Sequence, residues 1–125
     1  MIDSYENAGP IVEAYYDILK GGTASFDTGR LRAILAPDLV FEGPIAGRVV
    51  GAERFIKGVS GFVETVRSLI IEEQVHAGDL VATLYDAEMP GGIVRFAEFF
   101  QIGDNKIQSL RLLYDATVYR ARGGR

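Results

Sequence analysis

The second half of the chain is the feature that most constrains the fold. From Arg67 onward the period changes to two, and four apolar runs follow one another: SLIIEEQVH, LVATLYDAEM, IVRFAEFFQI and KIQSLRLLYDATVY. The segments between them are AGD, PGG and GDN, all of them turn chemistry. Strands joined by such short connections can only run antiparallel, because a parallel pair needs a long crossover. The spacing therefore predicts a four-stranded meander over the last half of the protein. A meander with apolar residues on one face must cover that face with something else.

The first half supplies the cover. Pro10 is placed to open a helix, and IVEAYYDILK continues it until Gly21-Gly22 ends it. Ile11, Tyr15, Ile18 and Leu19 share one face at helical spacing. After TASF, Asp27 or Thr28 can cap GRLRAILA, which stops before Pro37. DLVFEGP reads as a short strand and AGRVVG as a loop. A third helix, AERFIKGVSGFVETV, carries Phe55, Val59, Phe62, Val63 and Val66 on one stripe. Helices first and strands afterwards give an α+β fold, with helices on one face of a curved sheet.

Totals narrow the function. A chain of 125 residues with 48% hydrophobic content is expected to be one domain, with a core over about 10–119 and a flexible basic tail at 120–125. A net charge of −4 with scattered arginines gives no basic stripe for nucleic acid. The absence of cysteine rules out disulfides and sulfur-ligated metal, and one histidine leaves little for a transition metal, so no metal or cofactor is expected. No signal peptide or membrane span is expected at the N-terminus or elsewhere, and the expectation is a cytoplasmic protein. The glycines of GPIAGRVVG lack phosphate-loop spacing.

One residue stands out chemically. In FAEFFQI, Phe96, Glu98, Phe100 and Ile102 share a strand face, which makes Glu98 the single charge on an apolar surface. Such a carboxylate must be ion-paired, protonated or placed for use. Turn geometry decides which. If GDN is a three-residue loop, Glu98 faces Leu110 and its surroundings are apolar; if Asp104-Asn105 is a two-residue turn, it faces Arg111 as an ordinary ion pair. A Pro90-Gly91 turn puts Thr83 opposite Glu98, Tyr85 opposite Phe96 and Asp86 opposite Arg95. The candidate pocket lining is Phe41, Tyr85, Phe96, Phe100, Leu110, Leu112 and Tyr114. Within it Glu98 would be desolvated and pushed toward neutrality. Tyr16 reads as a packing aromatic, and His76 as an exposed residue at a strand end. Asp86 and Glu88 read as surface acids on one strand face.

The order of elements, with YYDILKGG, LAPDLVFEGPIAG and FAEFFQIGDNKIQSLRLLYD, resembles the SnoaL-like branch of the nuclear transport factor 2-like superfamily. Its members include ketosteroid isomerase, limonene epoxide hydrolase and polyketide cyclases. The resemblance covers roughly Pro10 to Tyr119. It implies a cone: a curved antiparallel sheet wrapped around three N-terminal helices, a cystatin-like α+β barrel with one apolar pocket, often homodimeric. It also implies roles. Tyr15, seven residues before Gly22, matches the hydrogen-bonding tyrosine of the ketosteroid isomerases, and Glu98 matches their protonated acid. At the general-base position, anchoring on Pro44 puts Gly43, and Glu42 serves only if the register slips by one. Leu84 and Leu112 stand where the epoxide hydrolases need charged residues.

The candidate catalytic set is therefore Glu98, Tyr15 and Glu42, acting on a small apolar carbonyl compound in an isomerase, cyclase or lyase manner. A non-catalytic ligand-binding or association module of the same fold is the alternative. The outer strand face (Leu84, Arg95, Ala97, Phe99, Arg111, Leu113) is too apolar to stay bare, which predicts a homodimer through it.

Overall fold

A computed structural model describes residues 5–124 of the chain. Helix α1 (Tyr5–Lys20) buries Ala8, Ile11, Val12, Tyr15, Tyr16, Ile18 and Leu19. It ends where Gly22 takes a φ of 66°, a left-handed conformation that favours glycine. Pro10 lies inside this helix and not at its first position; the polar stretch before it carries no periodic apolar signal. A short 3₁₀ turn (Thr23–Ser25) leads to α2 (Thr28–Ile34), capped by the Asp27 carboxylate accepting from the Arg30 amide at 3.0 Å. Helix α3 (Ala52–Thr65) buries Phe55, Val59 and Val63 of the expected stripe, with Ile56 added; Phe62 is half-buried and Val66 is the residue that caps the helix end.

Six strands form one sheet: β1 (Leu35–Gly43), β2 (Gly47–Val50), β3 (Ser68–Ala77), β4 (Leu80–Met89), β5 (Gly92–Gly103) and β6 (Lys106–Leu113). Their order is β2-β1-β6-β5-β4-β3. The last four are the meander expected from the turns. β1 lies parallel to β6, so the sheet is not wholly antiparallel, and β2 and β3 remain as separate edges, so it does not close into a barrel. The segment AGRVVG is a correction: Gly47–Val50 pairs with Val40–Gly43 as a hairpin and is not a loop. So is the end of the last run. Asp115 ends the strand by accepting from the Val118 amide at 3.0 Å, and Ala116–Ala121 forms α4. Residues 120–124 are not a loose tail, for the Gly91 amide donates to the Arg122 carbonyl at 3.0 Å and Gly123 lies against the Pro90 ring.

Both hairpins that flank β5 have informative registers. Pro90-Gly91 pins β4 to β5 as expected, with Thr83 opposite Glu98 and Asp86 opposite Arg95. At the far end Asp104 and Asn105 take φ values of 53° and 61°, the two-residue turn with both central residues left-handed. A bulge between Gln101 and Ile102 of the β5–β6 ladder then shifts the pairing, so that Glu98 faces Leu112. This is neither register open to the sequence. It nevertheless keeps Leu110 and Leu112 on the inner face, which is the outcome that matters for the site.

Candidate functional site

The inner face of β4 and β5 (Thr83, Tyr85, Phe96, Glu98, Phe100) meets the buried face of α1, and Glu98 is sealed at 2% exposure. Two phenols reach it. Tyr16 donates to Glu98 Oε1 at 2.7 Å, and Tyr15 donates to Oε2 at 3.4 Å. Adjacent helical residues usually diverge, but α1 is buried against both the sheet and neighbouring aromatics, so both rings point inward. Each makes an edge-on contact with Phe100, at 5.3 and 5.8 Å between centroids. Tyr15 is the partner expected from the sequence, where Tyr16 reads as a packing aromatic, yet Tyr16 makes the shorter bond. The adjacent pair of tyrosines was the available signal.

Electrostatics follow from burial. Desolvation raises the Glu98 carboxyl to about 7, opposed by the hydrogen bonds from Tyr16 and then Tyr15. Burial, and after it the charge on Glu98, pushes both phenols up, so they remain protonated and act as donors. Burial likewise raises Tyr85. Among the described residues no cation pairs with Glu98. Arg111 turns to the outer face and lies 3.4 Å from Glu42.

Glu98 forms part of the wall of a cavity of about 220 Å³. Phe41, Tyr85, Phe96, Leu112 and Tyr114 line it as expected, together with Tyr15. Phe100 and Leu110 do not; both are fully buried in the core behind the wall. Missed by the sequence reading were Phe62 and Tyr119, which face the cavity from α3 and α4, and Arg54, an exposed lining residue in the first turn of α3. Tyr85 and Phe96 stack at 5.0 Å, and Phe96 continues onto Tyr114 and Tyr119, giving one aromatic wall.

Glu42 is not at the cavity. It lies opposite Arg48 and Arg111 in the strand register, on the outer face, while Gly43 occupies the lining. A Cβ at Gly43 would come within 2.9 Å of the Phe41 ring, so the position anchored by Pro44 holds no side chain, and one would enter only with a shift of that ring. Among the residues lining the cavity, Glu98 is the one carboxylate. Among the described residues no group of three or more His, Asp or Glu comes together in the way a metal centre requires.

Comparison with known proteins places this architecture. A family model described as a SnoaL-like domain matches residues 12–110. Similar solved structures include a protein from Kribbella flavida (25% identity, TM-score 0.79, 90% of each chain covered). A steroid delta-isomerase from Pseudomonas aeruginosa superposes with TM-score 0.77 at 18% identity, over 94% of this chain and 86% of that one. An epoxide hydrolase from M. tuberculosis does so with TM-score 0.71 at 22% identity, over 92% and 87%. At such identities the last two show a shared fold alone. No curated protein matches the sequence.

Proposed function

Because the chain belongs to the SnoaL-like domain family, we propose that its cone binds a small apolar carbonyl compound and moves a proton on it without a cofactor. The observation that carries this reading is Glu98: a carboxyl buried on the cavity wall, with no cation paired to it among the described residues, held by two phenols and raised to about 7. A group titrating near neutrality both takes and returns a proton efficiently. With Glu42 outside and no second carboxylate in the lining, one residue has to do both. In this reading Glu98 removes the proton next to the carbonyl and delivers it back to the same or a conjugated carbon. Tyr15, which touches both Glu98 and the cavity, steadies the oxygen on which charge develops.

Cavity size limits the substrate. A cavity of about 220 Å³ has room for a single substituted ring or a short branched ketone. The walls are aromatic, so a flat, conjugated substrate gains most from them.

The test is deuterium exchange at the α-carbons of a panel of cyclic ketones, followed by proton NMR with catalytic amounts of protein. Wild type is expected to accelerate exchange for at least one ring-sized ketone, and Glu98→Gln to lose about 10²-fold or more of that rate. Exchange that survives Glu98→Gln removes Glu98 from the chemistry. If the ketones bind but neither protein exchanges them, the domain is a binding module.

A second copy of the chain is the proposed cover for the outer sheet face. Val75, Leu80, Phe99 and Leu113 are each about half exposed there. They are bordered by the Arg95–Asp86 pair, joined by two hydrogen bonds at 2.8 and 2.9 Å, and by Arg111–Glu42. An apolar strip with ion pairs at its rim has the composition of a homodimer contact.

A further inference from the structure

The side of Glu98 away from the cavity carries a second arrangement. In the sheet register, Gln74 on β3 stands opposite Thr83 on β4, and Thr83 opposite Glu98 on β5. Three polar side chains thus lie in one row across an inner face whose neighbouring rows are Ile71–Tyr85–Phe96 and His76–Val81–Phe100. The row is connected. His76 Nε2 lies 3.3 Å from Gln74 Oε1, and Gln74 Nε2 donates to Thr83 Oγ1 at 3.0 Å. Thr83 stands opposite Glu98 in the register, Tyr16 donates to that same carboxyl at 2.7 Å, and Thr83 lowers the Tyr16 phenol in the sense of a hydrogen-bond donor to it.

Chemistry fixes the direction of each link. An amide oxygen only accepts, so His76 must present an N–H to Gln74. An amide nitrogen only donates, so Thr83 accepts from Gln74; the single hydrogen of Tyr16 goes to Glu98, so between the two hydroxyls Thr83 is the donor and Tyr16 the acceptor. Tyr16 in turn gives its hydrogen to the carboxylate. Every donor points inward, and links aligned in this way strengthen one another.

We propose that Thr83, with Gln74 behind it, is a positioning residue for the buried acid: the row His76–Gln74–Thr83–Tyr16 holds the phenol as a donor and stabilises the carboxylate form of Glu98. This rests on the reading of Glu98 as the working acid. It adds that the proton affinity of that acid is set from behind, from the cleft between α1 and β3 lined by Glu13, Tyr16, Asp17, Lys20, Gln74 and His76. The remaining groups facing Glu98 are Tyr15 from α1 and Tyr85 from β4. Neither touches the cleft, so substitutions along the row leave the ligand wall unchanged.

The experiment is a carboxyl-carbon NMR titration of Glu98 in the ligand-free full chain, in wild type, Thr83→Val, Thr83→Ser and Gln74→Met. Valine matches threonine in shape and suits a strand, so the fold is retained while the hydroxyl is lost. Thr83→Val is expected to raise the Glu98 midpoint by roughly half a unit to one unit, Gln74→Met to raise it by less, and Thr83→Ser to stay within about 0.2 unit of wild type. Midpoints in Thr83→Val and Gln74→Met equal to or below wild type overturn the row. The two readings fail separately. A low wild-type midpoint that Thr83→Val still raises supports the row and removes the near-neutral acid; a near-neutral midpoint indifferent to Thr83 does the opposite.

Discussion

Burying Glu98 has a cost that depends on pH, and its size follows from the site. Unfolded, the carboxyl titrates at its ordinary value of 4.5; folded, desolvation holds it at about 7. Between those values the native state binds a proton that the unfolded state does not, so stability falls as pH rises. The neutral acid is accommodated in full below about 4.5, and the penalty is complete above about 7. At roughly 1.4 kcal/mol per pKa unit, the interval amounts to about 3 kcal/mol. Because Glu98 is fully buried, solvent screening does not reduce it. The assay is urea unfolding of wild type and Glu98→Gln at half-unit steps from pH 4.5 to 8.5. The difference between the two free energies cancels the contributions that both proteins share. Wild type is expected to lose about 3 kcal/mol relative to Glu98→Gln over that range, levelling off above pH 7. A flat difference would refute the reasoning, since it would mean that folding leaves the carboxyl in water or paired with a cation.

Three other outcomes follow from the geometry. Tyr16→Phe should raise the Glu98 midpoint by about one to two units, and Tyr15→Phe by less, since the first bond is the shorter; the same carboxyl-carbon titration reads both. Glu42→Gln should leave ketone exchange within about twofold of wild type, because Glu42 pairs with Arg111 on the outer face and surface pairs contribute little. Phe99→Asp, placing a charge in the middle of the exposed strip, should halve the mass in sedimentation equilibrium while leaving the circular dichroism spectrum unchanged; an unaltered mass places the dimer elsewhere or nowhere.

The parts of the fold that were legible in the sequence are those fixed by local chemistry. Pro90-Gly91 pins its hairpin, so Thr83, Tyr85 and Asp86 meet the partners their spacing predicts. Asp27 caps the helix that its position announces. What escaped depends on contacts distant in sequence. The bulge beside Gln108 moves Glu98 from either simple register to Leu112; it is braced by Gln108 donating to the Gly103 carbonyl at 2.7 Å, which alternation does not encode. Gly47–Val50 becomes a strand because β1 offers it an edge. ATVYRA alternates like a strand, but Asp115 caps it as a helix. At the site, the face of Glu98 was readable from period two, whereas the choice between Tyr15 and Tyr16 required the depth at which α1 sits in the cone. Glu42 illustrates the reverse: a residue beside the right turn, on a strand whose alternation turns it outward.

The central claim is that Glu98 is a desolvated acid on the cavity wall, and one titration tests it most directly. Carboxyl-carbon NMR of the ligand-free protein, with Glu98→Gln to assign the resonance, should show a midpoint at about 7. A midpoint at or below the ordinary 4.5 would mean a solvated or ion-paired carboxylate, and would contradict the account.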